Sequence, residues 1–414
     1  MLAVTVALIA GTLVTDAIAE RSRAAAPVWA SFLAHVVISL VIFVVRGLWS
    51  PDAITYDALA QGYVRYWNHD LVSPPGFVAG KEGWIVILAA VYFAIGHVPL
   101  VGLIINASVC AGTTSLLMGA TSRVGRPDRA KIAGWLTLLP PFLIWGSLLL
   151  RESLAWALIA AGLWASAGIV AKVGSSNVVI LVAAFAGMMW IRGSLAVVLI
   201  MAFALGIILT LKRVPVVMLG AMVGLTAVGG PLLARAQVLT GAVSIENINL
   251  SRGELSASGS GFGTTAYADP LSVVRSLPVM FARALLGPFP WELPSLPVLA
   301  LVDVAAWFFL LILAWRGWKA KPRSALKVCV VPALCLLAVL GVTSGNYGTM
   351  VRLRVEAAIL LIPMTAIGWP RKSSAEQEQS DGHRSDSYVS ATWATSERAL
   401  AMVLSERRGP EASG

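Results

Sequence analysis

Residues 46–83 bring Asp52, Tyr56, Asp57, Asp70 and Glu82 together between two long apolar runs, in a chain of which only 13% of residues are charged. In the stretch SPDAITYDALAQG, Pro51 sets a turn and Asp52, Tyr56 and Ala60 recur every four residues, which aligns them on one face of a short helix. A carboxylate partly withdrawn from water has its pKa raised toward the range in which it can take a proton from a hydroxyl group. Asp52 is therefore a candidate general base, and Asp57, on the flank of the same helix, is the reserve. A carboxylate in a first helical turn can equally serve only to cap the helix.

Four further groups could do chemistry. Arg151 and Glu152 interrupt apolar sequence in SLLLRESLAW, where a charged pair is costly unless it is paired internally or faces a cavity. They can form part of a site, or simply fix topology, with Glu152 favoured by the helix dipole. Asp303 lies inside an apolar helix and can be functional or paired with Arg283. The stretch GVTSGNYGTMVRLR carries Arg352 and Arg354, whose guanidinium groups suit bidentate binding of phosphate, and Arg192 could join them. Arginines at a helix end can also merely snorkel. Tyr56 and Trp291, with Trp49 and Trp67, offer flat apolar faces to a substrate at the membrane boundary.

The elements that hold these residues must be membrane helices. With 58% apolar residues and a mean hydropathy of +0.81, the chain is too apolar for a soluble domain. Charge-free runs at 132–150, 153–171, 194–211, 214–234, 304–315, 328–351 and 357–370 approach the roughly 20 residues that span a bilayer. Continuous apolar blocks favour helices over the short alternating strands of a barrel. The expected fold is an all-α polytopic bundle of about 10–12 helices over residues 1–370, with external juxtamembrane helices in the loops 46–83 and 230–296. Residues 1–15 lack a positive n-region and read as a retained first helix.

Basic clusters at Arg21 and Arg23, 123–131, Lys172, Lys212 and Arg213, 316–327, and Arg371 and Lys372 belong in the cytoplasm by the positive-inside tendency. Alternation then puts 46–83, Arg151 with Glu152, Arg192, 230–296 and 344–354 on the external side. Residues 84–122 are expected to make one net crossing with a break near Gly96. In the second loop, 256–263 is flexible by composition, 271–286 has the spacing of an interfacial helix, and PFPWELP ends it with a rigid turn. Residues 371–414 are polar and charged and are expected to form a disordered cytoplasmic tail.

Several classes lose support. The net charge of +10 lies in clusters between apolar runs and not on one amphipathic face, so nucleic acid is not an expected partner. There is no Walker A run, no His-Glu-x-x-His pair and no Gly-x-Ser-x-Gly elbow. Cys110, Cys329 and Cys335 lack metal-ligand spacing and read as packing residues, as do His35 and His97.

The order of Asp52-x-x-x-Tyr56-x-x-x-Ala60, the Pro-rich LLPPFLIWGSLLLRES and the closing GNYGTMVRLR resembles the polytopic GT-C-type membrane glycosyltransferases and related polysaccharide-assembly proteins, over residues 52–368. The resemblance implies transfer of a sugar from a polyprenyl-phosphate donor to a glycan, lipid or protein acceptor on the external face of a bacterial plasma membrane. Asp52 matches the acidic residue that acts on the acceptor, and Glu152 matches, more loosely, the one after the Pro-rich helix. The chain departs from the pattern by having no large external domain and no second Asp beside Asp52. No cofactor or metal ligand set is established, and a divalent cation is left open. Two other readings stand beside this one: a transporter or flippase using Arg151, Glu152 and Asp303, and a non-catalytic subunit of a polysaccharide-assembly complex.

Overall fold

A computed structural model describes residues 2–76, 81–172, 174–211, 245–256, 261, 266–289, 291–292, 298–320 and 323–370. The apolar run at 214–234, most of the Ser/Gly stretch at 256–263 and the tail 371–414 lie outside the described residues. The described chain is an all-α polytopic bundle, with one isolated bridge between Gly261 and Asn346. In chain order the helices are α1 (Leu2–Arg21), α2 (Ala25–Arg46), α3 (Pro51–Trp67), α4 (Glu82–Ile95), α5 (Pro99–Arg123), α6 (Ala130–Leu136), α7 (Pro140–Gly146) and α8 (Glu152–Ala171). They continue with α9 (Ser175–Ile208), α10 (Ile245–Ser256), α11 (Pro270–Leu286), α12 (Val298–Lys319), α13 (Arg323–Thr343) and α14 (Tyr347–Gly368).

Among the described residues, seven helices are long and apolar enough to cross a membrane: α1, α2, α5, α8, α9, α12 and α13. Three further features bear on the number of helices expected from the sequence. The first is α14, which carries Arg352, Arg354 and Glu356 near its start and is buried on nearly every side from Tyr347 to Gly368. It is the central helix, packed against α12 and α13.

The second is α9. Its 34 residues would run about 51 Å if straight, at ~1.5 Å per residue. Arg192, however, has non-helical φ −160° and ψ 71°, and the rings of Phe185 and Phe203, 18 positions apart, lie 5.8 Å centre to centre. The helix therefore folds back at Arg192 into two antiparallel arms.

The third is the apolar run at 132–150, which is not one helix. It is broken into α6, α7 and an irregular stretch in which Leu148, Leu149 and Leu150 are 3%, 1% and 0% exposed. Backbone without helical hydrogen bonds is tolerated at membrane depth only where protein covers it and supplies donors. Here Asn106 Nδ2 donates to the carbonyls of Leu148 at 2.7 Å and Leu150 at 3.0 Å, and Ser39 Oγ donates to that of Ser147 at 2.9 Å. His35 Nε2 stands 3.3 Å from the carbonyl of Phe142, which confirms His35 as a hydrogen-bonded packing residue. Cys110 and Cys329 are buried and free, in keeping with packing roles.

Packing within the bundle depends on close backbone approach, since lipid offers no hydrophobic drive to bring helices together. Where α12 crosses α14, a Cβ at Gly368 would fall 1.9 Å from the Leu313 carbonyl oxygen, and one at Gly317 2.0 Å from that of Met364. Only glycine fits at either position.

The pair α3 and α4 stays at one end. Lys81, just before α4, contacts Asp52, while His97, just after it, contacts Asp57. Both ends of α4 thus touch the first half of α3, and a helix of 14 residues reaches only about 21 Å. Of α4 and α5, only α5 is long and apolar enough to cross a membrane.

Candidate functional site

Arg352 is the hub of a charged cluster at the α3 end of the bundle. Its Nη1 donates to Asp52 Oδ2 at 2.7 Å, and its Nη2 lies 2.7 Å from Glu152 Oε1. Arg352, 300 positions from Asp52, thereby joins that residue to Glu152 through one guanidinium. Lys81 Nζ adds a contact with Asp52 Oδ1 at 3.5 Å. Arg192, at the fold of α9, pairs with Glu356. Arg151 is 9% exposed, donates to the Ile191 carbonyl at 3.3 Å, and interacts electrostatically with Tyr56, Glu152, Arg192 and Arg352.

Local structure explains why these groups meet. Arg352 and Glu356 are four apart on α14 and share a face. Arg151 and Glu152 sit at the start of α8, where the buried irregular stretch delivers the chain. Asp52 occupies the first turn of α3. The cap position is Ser50, which makes no side-chain cap bond, and the Asp52 carboxylate is given to Arg352 and Lys81 instead of to helix capping.

Lys81, Arg151, Arg192 and Arg352 gather with the carboxylates Asp52, Glu152 and Glu356 in one cluster. Glu152 is 0% exposed, and its oxygens make no aligned hydrogen bond despite the short contact with Arg352. Tyr56 is also 0% exposed, and its hydroxyl has no hydrogen-bond partner among the described residues. Burial pushes the Tyr56 phenol up to about 12, so it remains a neutral O–H donor at physiological pH. A cationic cluster beside a buried hydroxyl donor suits an incoming anion.

The sequence expectation that Asp52 has a raised pKa is corrected. Desolvation does push it upward, but the Arg352 guanidinium, aided by Lys81, outweighs burial and holds the carboxyl below its ordinary 3.8. Asp52 is an ionised carboxylate, 31% exposed at its side chain, and can accept a hydrogen bond from a hydroxyl without first losing a proton.

The other residues singled out from the sequence stand elsewhere. Asp57 turns away from the cluster: its Oδ1 accepts from Tyr92 Oη at 2.6 Å, its Oδ2 from Gln61 Nε2 at 2.8 Å, and His97 Nε2 lies 3.0 Å from Oδ1. That network ties α3 to α4. Arg354, two residues beyond Arg352, points about 200° around the helix from it, at ~100° per residue. Its Nη2 donates to the Gly287 carbonyl at 2.6 Å and its guanidinium lies 5.3 Å from the Trp307 ring. Asp303 accepts from Trp145 Nε1 at 3.2 Å, not from Arg283, which pairs with Glu292 at 3.3 Å. Trp291 is 75% exposed and stacks on Phe289, away from the cluster.

Next to Ala53 lies a recess of only about 10 Å³, room for about one water, lined by Ser39, Ile42, Phe43, Trp49, Leu103 and Ser147 among others. Lys81 and Glu356 are cluster members that sequence reasoning passed over. The signal for Glu356 was its four-residue spacing from Arg352. Among the described residues no three His, Cys, Asp or Glu side chains gather in a way that could hold a metal ion, and the cluster carboxylates lie against cations. The residues present do not fit a resident divalent cation. No family model, curated protein or solved structure matches this chain.

Proposed function

We propose that the chain is a membrane glycosyltransferase that moves a sugar from a polyprenyl-phosphate donor to an acceptor hydroxyl at the external face of a bacterial plasma membrane, in assembly of a cell-envelope glycan. The observation that carries this reading is the joining of Asp52 and Glu152 through Arg352, beside Arg151 and Lys81. A carbohydrate on a lipid phosphate needs an anion site near the membrane boundary, an apolar path for its tail and a carboxylate near the reacting carbon. The arginines offer the first, the exposed face of α2 at Val41, Val44 and Val45 the second, and Asp52 the third.

In this mechanism the donor phosphate draws on Arg352 and Arg151, and Tyr56 donates to one of its oxygens. Asp52 accepts the hydrogen bond of the acceptor hydroxyl and takes its proton as the oxygen attacks the anomeric carbon. The bond between that carbon and the phosphate oxygen breaks, and the departing oxygen carries its electron pair toward the guanidinium groups. Glu152, wholly buried, keeps Arg352 in place. The resemblance to GT-C-type enzymes in the motifs around Asp52, Glu152 and Arg352 supports the same reading. The test is turnover of polyprenyl-phosphate sugars by the purified protein. Transfer by the wild type, and its loss in a folded Asp52→Asn variant, is expected; wild-type rates in that variant exclude the mechanism.

The fold of α9 at Arg192 and the break after α7 also resemble the discontinuous helices of transporters, which favours translocation of the same amphipathic substrate as a second reading. Flux of labelled lipid-linked sugar across proteoliposomes without glycosyl transfer would select it.

A further inference from the structure

At the far end of the bundle from the charged cluster, a cavity of about 350 Å³ opens between the ends of α1, α5 and α8. Arg123 ends α5, 17 residues and therefore about 26 Å beyond Asn106, the residue that supports the stretch leading to Glu152. The cavity is lined by Arg21, Arg23, Arg123, Ser22, Ser122 and Trp164 among others, and no carboxylate lines it. Arg123 lies 3.3 Å from the Trp164 ring centre and donates to the Trp164 carbonyl at 3.1 Å and to Asn177 Oδ1 at 2.8 Å. It is fixed without an anionic partner. Gly119 makes room for the indole, since a Cβ there would lie 2.6 Å from Trp164 Nε1. Arg21 and Arg23 make no ion pair among the described residues.

Three arginines lining one space, with the hydroxyls of Ser22, Ser115 and Ser122 at its wall, supply phosphate-binding chemistry. The volume exceeds many times the roughly 30 Å³ occupied by one water, enough for a phosphate group and its ester oxygens. The position selects a lipid source. One wall is α1, whose Val6, Ile9, Leu13 and Val14 are each more than half exposed and must face hydrocarbon, giving acyl chains an apolar path to the cavity. The same end carries the basic clusters that the positive-inside tendency assigns to the cytoplasm, where anionic lipids attract basic pockets. We propose that this cavity binds the phosphate headgroup of an anionic phospholipid from the leaflet at that end. The inference is independent of the reaction assigned to the Arg352 cluster.

The test is a titration of purified full-length protein with phosphatidylglycerol and, separately, phosphatidylcholine, with bound lipid counted by native mass spectrometry. At about 1 kcal/mol per arginine, the Arg21→Gln/Arg23→Gln double variant is expected to bind phosphatidylglycerol roughly 30-fold more weakly. Ser115→Phe, which fills the cavity without changing charge, should also lose the site, whereas Arg316→Gln, basic but outside it, should keep it. Variants are compared only as monodisperse protein with wild-type melting in phosphatidylcholine. Unchanged phosphatidylglycerol binding in the double variant or in Ser115→Phe overturns the proposal. Equal binding of the two lipids, or displacement by millimolar inorganic phosphate, also overturns it, the latter by identifying free phosphate as the ligand.

Discussion

Replacing Tyr56 with Phe should make the protein more stable and less able to bind its substrate. The hydroxyl is wholly buried beside Asp52, Arg151, Glu152 and Arg352 and has no hydrogen-bond partner among the described residues. Keeping a buried donor unsatisfied costs about 1–3 kcal/mol, and Phe removes the donor while preserving the ring that packs among Ala53, Trp84 and Leu149. A gain of about 1 kcal/mol corresponds to a rise in melting temperature on the order of 2 °C in a chain of this size. If the same hydroxyl donates to a phosphate oxygen, losing that charge-assisted bond weakens binding by about 1.5–3 kcal/mol, or roughly 10-fold to 100-fold. Two assays decide it: thermal unfolding of the purified protein in detergent, and titration with a polyprenyl monophosphate. A lower melting temperature would show that the hydroxyl has a structural partner, and unchanged affinity would show that no ligand uses it. Either result refutes the assignment of Tyr56 as a waiting donor.

Other predictions follow from the same geometry. Arg352→Gln strands the buried Glu152 carboxylate and should cost about 3–5 kcal/mol, while Glu152→Gln with Arg352→Gln should cost less than the two single changes added, as read by unfolding of all four proteins. Arg354→Gln should leave polyprenyl-phosphate affinity within about 2-fold of wild type, because that side chain serves the Gly287 carbonyl on the other side of α14; a loss as large as that of Arg352→Gln would contradict this. Gly368→Leu should yield little monodisperse protein on gel filtration, since its side chain would enter the Leu313 carbonyl. Asp52 is held below its ordinary 3.8 by Arg352, so its contribution to stability is complete above the unfolded value and is lost as pH falls through the lower folded value. The difference in melting temperature between wild type and Asp52→Asn should be flat at neutral pH and shrink only in strong acid.

The sequence made the class and the grouping of Asp52, Glu152 and Arg352 legible, because charges between apolar runs are few and alternation of basic ends sorts them to one side. It did not make facing legible where helical phase was ignored. Arg352 and Arg354 looked like a pair, yet two positions apart on a helix they face opposite ways, whereas Glu356 shares the Arg352 face. Asp57 is a similar case, since one position from Tyr56 it turns to Tyr92 and His97. Apolarity alone gave no sign that residues 137–151 are broken, because Leu148, Leu149 and Leu150 are as apolar as any helical residue. The donors that permit the break, His35, Ser39 and Asn106, lie in distant helices.

The most direct measurement of the central claim is saturable binding of polyprenyl monophosphate to the purified protein, compared between wild type, Arg352→Gln and Arg316→Gln. Binding by wild type and Arg316→Gln, with at least a 10-fold loss in Arg352→Gln, is the predicted result. Equal affinity in all three would contradict the assignment of the Asp52, Glu152 and Arg352 cluster as the site for a lipid-borne phosphate.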